Sequence, residues 1–143
     1  MELNKIATGI ELIGTTIKSL TIDNSIVDMA REGKRNFGLN INEPVFQETD
    51  NRWFAQIVID FKVEVNQSEG QESVIQLAIE GAFLSEESAD IEAFKELVIV
   101  NGAAALIGIA RGKIEAITAN IFNNGKVVIP FVNVIDYYRS LSE

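Results

Sequence analysis

The first half of the chain alternates between apolar and polar residues, and the second half repeats its apolar residues every three or four positions. Alternation puts one row of side chains on each face of a β-strand, whereas the longer repeat marks one side of a helix. The alternation predicts strands over residues 10–23, 37–42, 52–66 and 73–83. Because strands come first and helices follow, we expect an α+β domain in which helices cover one face of a four-stranded antiparallel sheet.

The strand over residues 52–66 shows the clearest alternation, and the turn-forming residues 66–70 predict a hairpin to the next strand. One face of this strand is entirely apolar: Trp53, Ala55, Ile57, Ile59, Phe61, Val63 and Val65. In the first strand, Ile17 is out of phase with Leu12 and Leu20. We therefore expect a bulge or bend near residues 14–19.

The helical half is predicted to contain a short helix, a long helix and a short last helix. Ser88 is expected to cap the first, which ends at Leu97, and Asn133 to cap the last. The long helix is expected over residues 101–122, where the sequence 123–125 (Asn-Asn-Gly) ends it.

One stripe of the long helix is apolar and rich in small residues. It comprises Gly102, Ala103, Ile107, Ala110, Ile114, Ile117 and Ile121. Two interpretations are open for this stripe, packing on the chain's own sheet or contact with another subunit. Glycine is costly inside a helix, so its presence indicates close approach of another element. We favour a subunit interface and expect a homo-oligomer.

Composition removes several classes of function. The chain has 143 residues, the length of one domain, and it contains no Cys and no His. Disulfides, Ser-His and Cys-His nucleophile pairs and imidazole metal ligands are therefore excluded. The formal net charge is −9, which argues against binding to nucleic acid.

The N-terminal residues 1–5 show no signal-peptide pattern, and the most apolar run, residues 97–110, is shorter than the roughly 20 residues of a membrane span. We accordingly expect a cytoplasmic protein without a membrane span.

Two patterns that resemble catalytic or ligand sites have simpler explanations. The carboxylates of Glu86, Glu87, Asp90 and Glu92 fit a solvated helix N-terminus better than a metal site. The glycines before Lys113 have the wrong spacing for a phosphate-binding loop and lie inside a helical pattern. We expect no metal and no cofactor.

Aromatic and apolar residues exceed what one sheet and one layer of helices can bury. On the second face of the predicted sheet, Phe54, Val58 and Val74 have little to cover them. Because exposed apolar patches mark interaction surfaces, the pattern favours a binding protein.

The end of the fourth predicted strand and the helical half contain four short motifs: 81–83 (Gly-Ala-Phe), Ala110-Arg111 followed by Ile114, Gly125, and 130–133 (Pro-Phe-Val-Asn). With these motifs the chain resembles the SecB family of protein-export chaperones. Phe131 is an additional residue within the family's Pro-Val-Asn-aromatic motif. The resemblance extends over nearly the whole chain in the order of its elements.

This resemblance implies a tetramer, a dimer of dimers, that holds unfolded polypeptide in apolar grooves without ATP and delivers it to the motor SecA. By position, the groove would be formed by Phe37, Leu39, Ile41, Val134, Tyr138 and Leu141. The family's acidic motor-binding positions correspond to Ser19, Asp23, Val74 and Gln76, so one charge is retained. The sequence ends at Glu143 without the family's motor-binding tail. Holding of a client is thus better supported than export.

We carry three functional hypotheses forward. The first is a holdase chaperone for unfolded or preprotein polypeptide. The second is a binding protein dedicated to one folded or toxin–antitoxin partner. The third is an enzyme that uses carboxylates or tyrosine on a small molecule, which the absence of His and Cys makes the weakest.

Overall fold

The computed structural model describes residues 9–68 and 70–142. Five strands come first: β1 (Ile10–Asn24), β2 (Lys34–Ile41), β3 (Val45–Thr49), β4 (Arg52–Gln67) and β5 (Gln71–Ser85). The helices are α1 (Ile91–Leu97), α2 (Ala103–Ile121) and α3 (Val134–Ser140), and the π-helical turn Val98–Gly102 joins α1 to α2.

All strands pair antiparallel in one sheet of order β1-β5-β4-β2, and β3 pairs with the first part of β4. This confirms the α+β class, but the sheet has five strands rather than the four expected. The additional strand, β3, forms a hairpin with β4 in which Thr49 pairs with Arg52. Its two loop residues, Asp50 and Asn51, have φ angles of 43° and 67°. Positive φ at both positions is what a two-residue hairpin loop of type I′ requires.

The core lies between one face of the sheet and the helices. The apolar row predicted for β4 faces inward, and Ile57, Ile59 and Val65 are completely buried. Gly81 of β5 allows close packing, since a Cβ there would lie 3.1 Å from side-chain atoms of both Leu106 and Phe83. The helices therefore cover one face of the sheet, as predicted.

The irregularity predicted in β1 is confirmed as two register shifts against β5. One shift lies between Leu12 and Gly14, and the other between Ile17 and Ser19. Each shift inserts one residue, which moves the following side chains to the opposite face. This is why Ile17 and Leu20 both lie on the helix side of the sheet, where they pair with Ile79 and Leu77.

The start of the first helix differs from the prediction. Asp90, rather than Ser88, caps α1, because its carboxylate accepts a hydrogen bond of 3.1 Å from the Ala93 backbone N–H. Ser88 has a φ of 56° and donates its N–H to the carbonyl of Asn51 at 2.9 Å. It therefore belongs to the turn before the helix.

The three helical segments from Ile91 to Ile121 form one helix of 31 residues, which is long and apolar enough to cross a membrane by length and composition alone. Of its most apolar window, 39% is buried inside the chain, and the buried residues, which include Leu106, pack on the sheet. The expectation that no segment spans a membrane thus depends on this packing rather than on the length of the apolar run.

The apolar stripe of α2 lies against the chain's own sheet, which corrects its assignment to a subunit interface. Five of its seven residues are buried within the chain: Gly102, Ala103, Ile107, Ala110 and Ile114. The other two, Ile117 and Ile121, are half-buried. Most of the exposed residues of α2 are instead small: Ala104, Ala105, Gly108, Gly112, Ala116 and Ala119.

The segment after α2 returns along that helix in an extended conformation. The Val127 N–H donates to the buried hydroxyl of Thr118 at 2.8 Å, and Arg111 Nε donates to the Ile129 carbonyl at 2.9 Å. This segment delivers the chain to α3, where the side chain of Asn133 accepts a hydrogen bond from the Asp136 N–H at 3.1 Å. The cap predicted at Asn133 is therefore confirmed.

Candidate polypeptide-binding surface

The strand β2 lies at one edge of the sheet and, within the described residues, pairs with β4 alone. The Asn42 N–H donates to the Val58 carbonyl at 3.0 Å, which fixes the direction of the backbone groups that precede it. Because these groups alternate along a strand, the N–H and C=O of Phe37 and Leu39 point away from β4. These two residues form an open strand edge.

The far end of this edge is closed by α3. The Ile41 N–H, which also points away from β4, donates to the hydroxyl of Tyr137 at 2.9 Å. The side chain of Tyr137 thus takes the place that a further strand would occupy. The open edge therefore runs from the start of β2 to Leu39.

The structure separates the six residues predicted to form a groove. Phe37 is 39% exposed and Leu141 is 64% exposed, whereas Leu39 and Tyr138 are partly buried. Ile41 and Val134 are buried in the core and cannot line an open groove, which corrects their assignment. Their burial follows from the position of α3 against the end of β2.

Phe37 and Leu39 lie on the helix side of the sheet. In the antiparallel register they face Val63 and Phe61 of β4, both of which are core residues. Their apolar side chains therefore continue the core outward to the open edge. An extended chain placed along this edge would meet backbone hydrogen-bonding groups and apolar side chains together.

Tyr138 lines a second apolar depression, which lies between α3 and the π-helical turn. A shallow cavity of about 360 Å³ is bounded by Ile99 and Val100 of the π-helical turn and by Ile135 and Tyr138 of α3. A neighbouring cavity of about 450 Å³ lies along α1 and shares Val100 and Ile135. Burial, and to a smaller extent the neighbouring Tyr137, raise the pKa of the Tyr138 hydroxyl above its usual value.

Sequence reasoning missed Ile99, Val100 and Ile135. A π-helical turn shifts the phase of a helix, so that residues near it leave the side predicted by a repeat of 3.6. Ile135, which is 50% exposed on the last helix, could have been identified by its position one residue after the buried Val134.

The other face of the sheet is open and mixed in character. Phe54, Val58 and Val74 are half-buried there, as expected for a face without covering helices. A depression of about 330 Å³ on the sheet is lined by residues that include Asn40, Asp60, Lys62 and Gln76. Ser19, Asp23, Val74 and Gln76, the positions that the family resemblance relates to motor binding, also lie on this face, since Ser19 pairs with Ala78, Thr21 with Gln76, and Asp23 with Val74.

The carboxylates of the described residues are not gathered into a metal site. Over residues 9–68 and 70–142, no three carboxylates converge in a way that could hold a metal ion. Of the acidic cluster before α1, Asp90 serves as the helix cap, and Glu86 and Glu87 are exposed. The feature of this region that stands out is the open edge of β2, which offers unpaired backbone groups to an extended chain.

Comparison with solved structures identifies a protein of the same architecture. The SecB-like chaperone Rv1957 of Mycobacterium tuberculosis, solved in complex with a ChAD peptide from the HigA1 antitoxin Rv1956, superposes with a TM-score of 0.60. The two chains are 11% identical, and the match covers 91% of this chain and 95% of the other. No protein-family model and no curated protein matches the sequence. The structural likeness shows that the chain has a SecB-like fold.

Proposed function

We propose that this protein is an ATP-independent holdase that binds extended, unfolded segments of other polypeptides. The observation that carries the proposal is the edge of β2, where outward-pointing backbone groups of Phe37 and Leu39 adjoin apolar side chains. An extended segment added there would form main-chain hydrogen bonds that are independent of its sequence. Pockets for alternate side chains would add affinity for apolar residues.

The two edges of the sheet differ in a way that supports β2 as the binding edge. The register of β2 is regular from Lys34 to Ile41, whereas β1 contains two bulges. Bulges twist an edge and interrupt the spacing of its hydrogen-bonding groups, which hinders strand addition. β2 therefore offers the more regular template for an incoming chain.

A second candidate function is binding dedicated to one partner, such as an antitoxin. It is favoured by the solved complex of the structural neighbour, which contains an antitoxin peptide. Such a partner would present one extended segment to the same edge of β2. The two proposals thus share a site and differ in the range of segments accepted.

An export role through SecA has weaker support. Ser19, Val74 and Gln76 are uncharged, so Asp23 alone keeps the acidic character that the family resemblance associates with motor binding. We propose that contact with the motor, at the face of the sheet that the helices leave open, is weak.

The proposal also includes assembly into a homo-oligomer, with a tetramer as the expected state. The exposed face of α2 carries alanine and glycine over four turns, which suits close approach of a second helix. Several binding edges in one particle would then act on one long client.

The central test measures suppression of aggregation of several unrelated unfolded proteins, without nucleotide. We expect the wild-type protein to suppress aggregation, and Phe37→Asp to lose most of this activity because it places a charge on the open edge. Val27→Asp is the matched control, since Val27 is an exposed loop residue with 65% exposure. Both variants should retain the circular dichroism spectrum of the wild type.

The range of clients separates the two candidates. Suppression across all the unfolded proteins supports a general holdase. Binding confined to one partner, with the unfolded proteins ignored, supports the dedicated role. Full activity in Phe37→Asp would contradict the assignment of the binding edge to β2.

A further inference from the structure

We propose that the β2 edge selects its client segment by direction and charge, binding it antiparallel with an acidic residue on the C-terminal side of the apolar part. This inference rests on the proposed function and adds the chemistry of the preferred segment. It follows from the charges at the two ends of β2.

The start of β2 is basic in a chain that is otherwise strongly acidic. Residues 31–35 contribute three cations, Arg31, Lys34 and Arg35, against one carboxylate, Glu32, whereas the whole chain has a net charge of −9. Lys34 and Arg35 are consecutive residues of β2, so their side chains lie on opposite faces of the sheet. The positive charge therefore flanks both faces of the open edge at its beginning.

Arg35 is held in place by the loop before β2. Its guanidinium donates to the carbonyls of Gly33 at 3.0 Å and Ala30 at 3.2 Å. The Ala30 N–H in turn donates to the side chain of Gln67 at 2.9 Å, which ties this loop to the end of β4. The cation is thus positioned before any client arrives, so less side-chain entropy is lost on binding.

The end of β2 has the opposite character. Ile41 is followed by Asn42 and Glu43, and Glu43 is exposed. Tyr137 closes the edge at the same point. Charge along the edge therefore runs from positive at Lys34 to negative beyond Ile41.

An antiparallel strand would place its first residues opposite Leu39 and its last residues opposite Arg35. All strand pairs described in this sheet are antiparallel, so an antiparallel client would continue the same pattern. Antiparallel pairs are also slightly more stable per residue than parallel ones. A carboxylate that follows the apolar residues would then lie beside Lys34 and Arg35. A carboxylate that precedes them would lie near Glu43 and be repelled.

The test uses two fluorescent peptides with blocked termini and identical composition, each with an alternating apolar core. One carries two glutamates after the core and the other carries them before it. A third peptide has the same core without glutamate. Affinities are measured by fluorescence anisotropy for the wild type, Lys34→Glu, and the matched charge reversal Lys18→Glu on the opposite edge of the sheet.

We expect the peptide with C-terminal glutamates to bind about three- to tenfold more tightly at low salt, as two exposed ion pairs allow. Lys34→Glu should largely remove this preference, whereas Lys18→Glu should preserve it. Raising the salt to 1 M should shrink the preference without abolishing binding of the uncharged peptide.

Two results would overturn the inference while leaving the proposed function intact. They are equal affinity for both charged peptides and a preference for the N-terminal glutamates. Failure of all three peptides, together with failure to suppress aggregation, would overturn the proposed function itself.

Discussion

The backbone N–H of Ile41 donates to the hydroxyl of Tyr137 at 2.9 Å, joining the edge of the sheet to the last helix across 96 residues of sequence. Ile41 is buried, so its N–H would lose its partner if the hydroxyl were removed. This bond both positions α3 and ends the open edge of β2.

Tyr137→Phe should lower the free energy of unfolding by about 1–3 kcal/mol, the cost of leaving a buried donor without a partner. Urea denaturation followed by tryptophan fluorescence measures this change. Tyr138→Phe is the control, because within the described residues the Tyr138 hydroxyl makes no hydrogen bond. A loss in Tyr138→Phe as large as in Tyr137→Phe would contradict the role assigned to the bond.

Gly125→Ala should be more destabilising than Gly70→Ala, although both glycines have positive φ. Gly125 has a φ of 95°, and a Cβ there would lie 2.6 Å from the Cβ of Met29. Gly70 has a φ of 71°, with nothing within 4 Å of its Cβ position. Gly70→Ala should therefore cost about 1–2 kcal/mol from backbone strain alone, and Gly125→Ala should cost more.

Thermal unfolding of the two variants against the wild type makes this comparison. Equal losses would show that the backbone near Met29 shifts to accommodate the methyl group. In that case the close contact with Met29 would not prevent a residue larger than glycine at position 125.

Glu115 is expected to make the stability of the protein depend on pH in the acid range. Its carboxylate lies 2.6 Å from Lys126 Nζ, and the hydrogen bond and charge of Lys126 lower the pKa of Glu115 below its ordinary value of 4.5. Because the pKa of Glu115 is lower in the folded state, the ion pair stabilises that state at pH values above the ordinary pKa of 4.5. This contribution disappears as the pH falls through the lowered pKa.

Glu115→Gln should therefore be less stable than the wild type near neutral pH, and the two melting temperatures should converge as the pH falls below 4.5. Melting temperatures measured from pH 7 to pH 2 test this. High salt should reduce the difference at neutral pH, since both side chains are exposed to solvent. A difference that stays constant over the whole range would exclude this ion pair as its source.

Substitution on the exposed face of α2 should separate folding from assembly. Gly108 is exposed and has nothing within 4 Å of its Cβ position, so glutamine there improves helix propensity by up to about 1 kcal/mol. The same side chain would hold a second helix away. Gly108→Gln should therefore raise or preserve the stability of the subunit and lower the mass of the particle.

Light scattering at micromolar concentration measures the second effect. The wild type should exceed the 15.7 kDa of one chain, and Gly108→Gln should move toward that mass. A monomeric wild type would contradict the proposal of an oligomer. An unchanged assembly in Gly108→Gln would move its interface away from this face of α2.

Much of the sheet could be predicted because side-chain alternation in β4 and β5 directly reports one buried face. The bulged β1 was also predictable, since Ile17 breaks the phase of its neighbours. The short strand β3 was not, because Val45–Thr49 has only 5 residues and follows Pro44. The Asp50-Asn51 pair was a usable signal, because both residues tolerate the positive φ of a hairpin loop.

The candidate site was less predictable than the sheet. Alternation predicted the strand that carries Phe37 and Leu39, and the family resemblance placed both residues in a groove, but the burial of Ile41 and Val134 depends on where α3 lies. No local pattern specifies that position, which is set by the path of the segment after α2 and by the bond from Ile41 to Tyr137. Likewise, nothing in the residues Val98–Gly102 distinguishes a π-helical turn from an α-helical one.

The limit that Tyr137 sets on the open edge has a kinetic consequence for any chain that pairs with it. With only the stretch from Lys34 to Leu39 available, one contact supplies few hydrogen bonds, so each bound segment dissociates quickly. Rapid dissociation allows release without an energy source. In the proposed oligomer, prolonged retention would require a long substrate that engages several subunits at once, since rebinding within one particle raises the effective concentration of each segment.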